Sequence, residues 1–274
     1  MHVRAVYALV RRDLSIVSQS RGVLLPMLVV PLLSLVLLPV LAVVAPTLGD
    51  SEQATVVALS RIVDWMSAGL QDHLLGYTDL QKWVVLVLVY FLAPLYLVVP
   101  LMVASVVAAD SFAGEKERKT LEVLLYTPTT DAELFIGKLL AAWIPAMAVS
   151  LLSFVLYAAV ANWVSWPILG RLLFPNAIWT ILVFWVAPAV AGMGLGVTVL
   201  ISSRVQSFQE AFQLGGFVVL PIVVLLVGQV SGVMYFSTGM VALLGLGFWL
   251  IDAALLVAGA RLFRRENLLT GHPD

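Results

Sequence analysis

The chain has 274 residues, 62% of them hydrophobic, and only 15 basic and 16 acidic side chains. Soluble domains carry about 25% charged residues; at 11% charged and a mean hydropathy of +1.05, this chain cannot cover a water-facing surface, which excludes a soluble enzyme and a nucleic-acid-binding domain. Cysteine is absent, so there is no disulfide framework, thiol nucleophile or cysteine metal site, and the net charge of -1 matters less than where the charges lie.

Residues 1–20 read as an amphipathic helix. Val3, Tyr7, Val10, Leu14 and Val17 recur at steps of four and three, with Arg4, Arg11, Arg12 and Ser15 elsewhere on the wheel. Such a helix lies along the inner leaflet with its arginines on anionic headgroups; an ordinary flanking segment is the alternative. It is not a cleavable signal, because Arg11, Arg12 and Asp13 interrupt it.

A crossing needs about 20 apolar residues. The charge-free runs predict six such helices, near 23–46, 83–109, 139–162, 174–201, 213–232 and 239–260. The expected fold is an all-α polytopic membrane protein, a single transmembrane domain over 1–274. Prolines 26, 31, 39, 94, 100, 145, 188 and 221 fall inside the runs and can kink their helices. Gly192 and Gly196 are four apart, as are Gly228 and Gly232, a spacing that lets helices approach closely.

The loop 47–82 after the first helix is acidic. Val56, Leu59, Val63, Met66 and Leu70 step by three and four within it, which predicts a short helix on the outer surface, packing on the bundle or gating a cargo. The basic residues fix the orientation. Twelve of them (Arg4, Arg11, Arg12, Arg21, Lys116, Arg118, Lys119, Lys138, Arg204, Arg261, Arg264 and Arg265) lie on one side, against Arg61, Lys82 and Arg171 on the other. The positive-inside rule makes the twelve, and both termini, cytoplasmic. Trp83, Trp163 and Trp166 then form an interfacial belt at the outer boundary.

The cytoplasmic segment 110–138 is the one stretch outside the membrane that is dense in chemistry. A helix is expected over 115–126, its apolar patch made by Leu121, Leu124 and Leu125. Pro128 stops it, and Thr130 to Glu133 is a capping-box pattern that starts the next helix. Two readings are open: a solvated loop whose charges set topology, or a docking element for a cytoplasmic partner.

Two groups of polar residues lie near or in the apolar runs. Gln206, Gln209, Glu210 and Gln213 would share one face at the start of the fifth helix, lining a vestibule, meeting a partner or facing solvent. Asp252 is the sole carboxylate deep in an apolar run, about 13 Å along the helix from Arg261. It contacts an ion or substrate, or it makes a helix–helix hydrogen bond.

The segment Gly114-Glu-Lys-Glu-Arg-Lys-Thr-Leu-Glu122, with Pro128, Glu133 and Gly137-Lys138, resembles the signature of ABC-2 type transporter permeases, the membrane subunits of ATP-driven exporters. Ser207-Phe-Gln-Glu-Ala-Phe-Gln213, followed by glycines and Pro221, is similar to the start of that family's fifth helix. The resemblance implies that the segment after the second helix is a coupling helix seated on a cytoplasmic nucleotide-binding ATPase subunit. It assigns Glu115, Glu117, Thr120, Leu121, Glu122 and Pro128 to that contact. It also implies a multi-pass protein of the plasma (inner) membrane that pairs with a second permease copy or a related chain.

Gly137-Lys138 is the only near-match to a phosphate-binding loop. Ala132 stands where the first glycine belongs and Leu139 where the hydroxyl belongs. ATP and Mg are therefore expected in the partner, with no cofactor, metal or catalytic residue in this chain. An ion-gradient-driven secondary transporter is the alternative, and would want more intramembrane ionisable groups. A membrane-embedded enzyme lacks its motifs here.

Overall fold

The structure is a computed structural model that describes residues 3–19, 21–47, 71, 74–120, 130–231, 234 and 236–262. The chain starts with α1 (Val3–Gln19) and α2 (Arg21–Val44). The bundle continues with α3 (Asp79–Glu117), α4 (Asp131–Leu169), α5 (Ala177–Arg204) and α6 (Phe208–Val230), and α7 covers Thr238–Leu262. The five helices α3 to α7 are long and apolar enough to cross a membrane. For the first expected crossing, near 23–46, α2 supplies a shorter apolar stretch, Leu33–Val44, inside a helix of 24 residues. The helix expected over 56–70 lies outside the described residues.

The centre of the bundle is α5, which packs on α3 and α7, while α1 and α2 both lie on α4. The glycines of α5 permit this. A Cβ at Gly194 would fall 2.9 Å from the Leu101 carbonyl, and one at Gly196 would fall 2.9 Å from the Leu255 Cβ. Close approach at 196 is thus realised, while the space at 192 is taken by the Asp252 side chain. Gly228 instead faces the Met234 side chain in the following loop, and Gly232 lies outside the described residues.

Two boundaries differ from expectation. α3 begins at Asp79 rather than near 83, because Thr78 and Gln81 form a capping box there. It also runs past Ala109 to Glu117.

Both central helices contain π-helical turns: Leu86–Phe91 and Asp110–Gly114 in α3, Leu182–Val186 in α5. Pro94 and Pro188 lie just beyond the first and last of these, where a missing N–H already disturbs the i→i−4 ladder. Carbonyls off the regular ladder accept from side chains. The Tyr157 hydroxyl donates to the Leu88 carbonyl at 2.6 Å, and the Trp179 indole donates to the Val89 carbonyl at 2.9 Å. The two rings stack at 4.6 Å, with Phe174 edge-on to both.

Asn162 closes the α4–α5 connection. Its Oδ1 accepts from the backbone of Leu173 and Phe174 at 2.8 and 2.9 Å, and its Nδ2 donates to the Phe174 carbonyl at 2.8 Å. Trp83 donates to the Ala42 carbonyl at 2.9 Å, joining the start of α3 to the end of α2. Trp163 and Trp166 are exposed, at the end of the bundle where the belt was expected.

Candidate functional site

Of the separate helix expected over 115–126, residues 121–126 lie outside the described residues, and its first turn is instead the end of α3. Asp110–Gly114 is π-helical and Glu115–Glu117 is its α-helical continuation. The helix breaks at Arg118 and Lys119, where Lys119 takes a positive φ of 57°. The sequence reading ended the membrane helix at its first charge. The structure instead neutralises these charges with protein partners, so the helix carries them onward. The Arg118 guanidinium donates to Asp110 Oδ1 at 3.0 Å, and the Lys138 ammonium donates to Glu115 Oε2 at 2.5 Å.

Lys138 is wholly buried. It comes from α4, whose start is fixed by the expected capping box: Thr130 N–H donates to Glu133 at 3.1 Å and Glu133 N–H to the Thr130 hydroxyl at 3.2 Å. Besides Glu115, the ammonium reaches the Ser111 carbonyl at 2.7 Å and sits 5.5 Å from the Phe112 ring centroid. Asp13 of α1 approaches it at 3.9 Å. Arg12 lies 3.6 Å from both Glu115 and Asp13. Three elements therefore meet on one buried cation.

Asp13 is buried, and among the described residues neither of its oxygens has a hydrogen-bond partner. Burial raises its pKa above the ordinary 3.8; the Lys138 charge works against that rise and the Glu115 charge adds to it. The buried stripe of α1 is Leu9, Val10 and Asp13, while Tyr7, expected on the apolar face, is 67% exposed. Gly137 permits this crossing, since a Cβ there would fall 3.1 Å from Leu9.

The neighbours of Glu115 grip the other side of the bundle. The Lys116 ammonium donates to the Val205 carbonyl, at the end of α5, at 3.0 Å. The Glu117 carboxylate accepts from the Phe208 N–H, at the start of α6, at 2.9 Å. Phe208 and Phe212 stack at 6.1 Å over Ala109, Ala113 and Ala211. Glu115, Lys116 and Glu117 thus connect the end of α3 to α1, α4 and the α5–α6 turn.

Thr120 is exposed and closes the chain back on the Glu115 carbonyl at 3.0 Å through its N–H. Leu121, Glu122 and Pro128 lie outside the described residues. The expected polar face of the fifth helix is divided. Ser207 caps α6, so Gln206 precedes the helix and its N–H donates to Glu210 at 3.3 Å. Gln209, Glu210 and Gln213 are exposed. Asp252 is buried on α7 with its carboxylate against Gly192 of α5; among the described residues its Oδ1 has no hydrogen-bond partner. Among the described residues, no group of three or more His, Cys, Asp or Glu could hold a metal ion.

Sequence reading missed Asp13 and Lys138 as members of one site. It counted Lys138 as a topology charge and left Asp13 off the apolar stripe. The available signal was spacing: Asp13 follows Leu9 by four and Val10 by three, which puts it on their face.

Five helices long and apolar enough to cross a membrane, with a buried charged junction at one end, define a polytopic membrane protein. The family model for ABC-2 family transporter proteins matches residues 7–266, and the chain belongs to that family of membrane permeases. No curated protein and no solved structure matches it.

Proposed function

We propose that this chain is the transmembrane subunit of an ATP-driven exporter, coupled through the end of α3 to a separate cytoplasmic ATPase subunit. Both termini and segment 110–138 lie on the cytoplasmic side. A second copy or a related permease completes the pathway, and ATP and Mg bind in the ATPase.

The observation that carries this reading is the placement of Glu115, Lys116 and Glu117. A force on the exposed chain after Glu117 passes to α1 and α4 through Glu115 and Lys138. It passes to the α5–α6 turn through Lys116 and Glu117. Glu115 thereby acts from inside the protein, while Glu117, Thr120, Leu121, Glu122 and Pro128 belong to the partner contact. ATP drives such a subunit only if it binds the two conformations unequally.

The test is co-purification of the tagged chain from its native membranes in mild detergent, with mass spectrometry and an ATPase assay. A stoichiometric ATPase subunit is expected, lost when residues 119–122 are replaced by a Gly-Ser linker while the bundle keeps its thermal midpoint. No ATPase partner under several gentle conditions would sink the reading. The partnerless Asp252 oxygen favours a second reading, ion-gradient transport, which requires that Asp252→Asn abolish gradient-driven uptake in vesicles without ATP.

A further inference from the structure

Two buried carboxylates from different helices face one buried ammonium. Lys138 carries three donors. The Glu115 carboxylate takes one at 2.5 Å and the Ser111 carbonyl a second at 2.7 Å. Asp13 Oδ2 lies 3.9 Å from the same nitrogen, about 1 Å beyond the usual N–H···O distance. The side chains of Lys138, Glu115 and Asp13 are 0%, 5% and 4% exposed, so all three are enclosed by protein. Asp13 and Glu115 therefore compete for one cation, and in this state Glu115 holds it.

Arg12 balances the two seats. Its guanidinium lies 3.6 Å from Glu115 Oε1 and 3.6 Å from Asp13 Oδ1, so whichever carboxylate lacks the ammonium keeps the guanidinium. The other acids nearby are engaged elsewhere. Asp110 of α3 is paired with Arg118 at 3.0 Å, and Glu133 of α4 accepts in the capping box. Moving Lys138 from Glu115 to Asp13 thus exchanges one ion pair for another with no change of buried charge. The ammonium stands on a flexible four-carbon stem with rotatable donors, so the move is a change of side-chain torsions that leaves α1, α3 and α4 helical.

We propose that Lys138 is a transferable cation with two carboxylate seats: Glu115 in the state described here, and Asp13 in a second state reached when the end of α3 is drawn away. In the first state the ammonium ties α4 to α3. In the second it ties α4 to α1, so the junction changes partners without ever stranding its charge. Interfaces with two discrete sets of ion pairs behave as switches. The proposal rests on the ATPase reading only for what draws Glu115 away.

The experiment places the full chain in lipid vesicles, with nitrogen-labelled lysine side chains and carbon-labelled aspartate carboxyls, and measures their dipolar coupling by magic-angle-spinning NMR. The Lys82–Asp79 pair at 3.0 Å is an internal reference that no variant touches. Glu115→Gln removes the first seat while keeping its shape. Dipolar coupling varies as the inverse cube of distance, so closing 3.9 Å to about 3 Å about doubles the Asp13–Lys138 coupling. That gain is expected in Glu115→Gln and should vanish when Asp13→Asn is added. Glu115→Asp keeps the charge, withdraws it by one methylene and should give a smaller gain; it serves if Glu115→Gln does not fold. A coupling that stays at the wild-type value in these variants, or a gain that survives Asp13→Asn, overturns the proposal. No ATPase is in the sample, so that result would leave the ATPase reading to co-purification, and a failed co-purification would leave the transfer standing.

Discussion

Asp252 rests on Gly192. The carboxylate of α7 occupies the space where a side chain at 192 would begin, so a Cβ there would overlap its Oδ2. The α5–α7 contact is therefore shaped jointly by a missing side chain and a buried acid. A charge in that setting is neutral, solvated or paired, and among the described groups Oδ1 finds no partner.

Gly192→Ala is expected to lower the thermal midpoint by the equivalent of about 1–3 kcal/mol, the usual cost of forcing a methyl into a packed core. Asp252→Ala made in the same chain should restore part of the loss, because it vacates the overlapping atoms. Thermal unfolding of the single and double variants in detergent checks this. Additive losses would show that the two residues do not share the space.

The Lys138–Glu115 pair is buried, at 0% and 5% side-chain exposure. Removing one partner strands the other charge, so Lys138→Met should cost about 3–5 kcal/mol. Lys138→Met combined with Glu115→Leu should recover much of that loss, since the desolvated charges leave together. Chemical denaturation of the three variants would reveal the recovery, and its absence would mean that the Ser111 and Asp13 contacts dominate.

Asp13 makes the docking of α1 pH-dependent. Its native pKa lies above the ordinary 3.8, so the folded protein holds this proton more tightly than the unfolded chain. Stability from this group is fully present below 3.8 and is lost as pH rises through the native pKa. The thermal midpoint should fall as the pH is raised from 3.8 through the elevated native pKa. Asp13→Asn should flatten that dependence, and an unchanged profile would remove Asp13 from the account.

The Lys116 and Glu117 contacts are local. Glu117 is exposed, so Lys116→Ala with Glu117→Ala should change global stability by roughly 1 kcal/mol or less. Amide exchange over residues 205–212 should nevertheless accelerate severalfold, because the α5–α6 turn loses an acceptor for the Phe208 N–H and a donor to the Val205 carbonyl. Equal protection in variant and wild type would show that the turn stands without α3.

Much of the fold is written in the sequence as absence of charge. Runs without Asp, Glu, Lys or Arg located α4 to α7 and the centre of α3. The same rule failed at Asp110 and Glu115, because it treats every charge as facing water. Their partners, Arg118 and Lys138, are 8 and 23 residues away, and the second is reached only across a connection. Such pairing is set by tertiary approach, and no periodicity carries it. The capping boxes at Thr78 and Thr130 are local hydrogen-bond patterns; the second was legible at once, and the first shows that a local signal can also be passed over. The polar stripe from Gln206 to Gln213 was misjudged by one cap: Ser207 decides where helical spacing begins to apply.

The hydrogen bonds from Tyr157 and Trp179 to the Leu88 and Val89 carbonyls join α3, α4 and α5 at one level. These helices cannot slide lengthwise past one another there without stranding buried donors, so that level is a fulcrum. Glu115 lies 27 residues further along α3, a lever arm of about 40 Å at 1.5 Å per residue. A tilt of about 6° at the aromatic stack would carry the charged end through about 4 Å by that same geometry. A small rotation about the aromatic stack is thus felt at Glu115 as a displacement larger than a hydrogen bond is long.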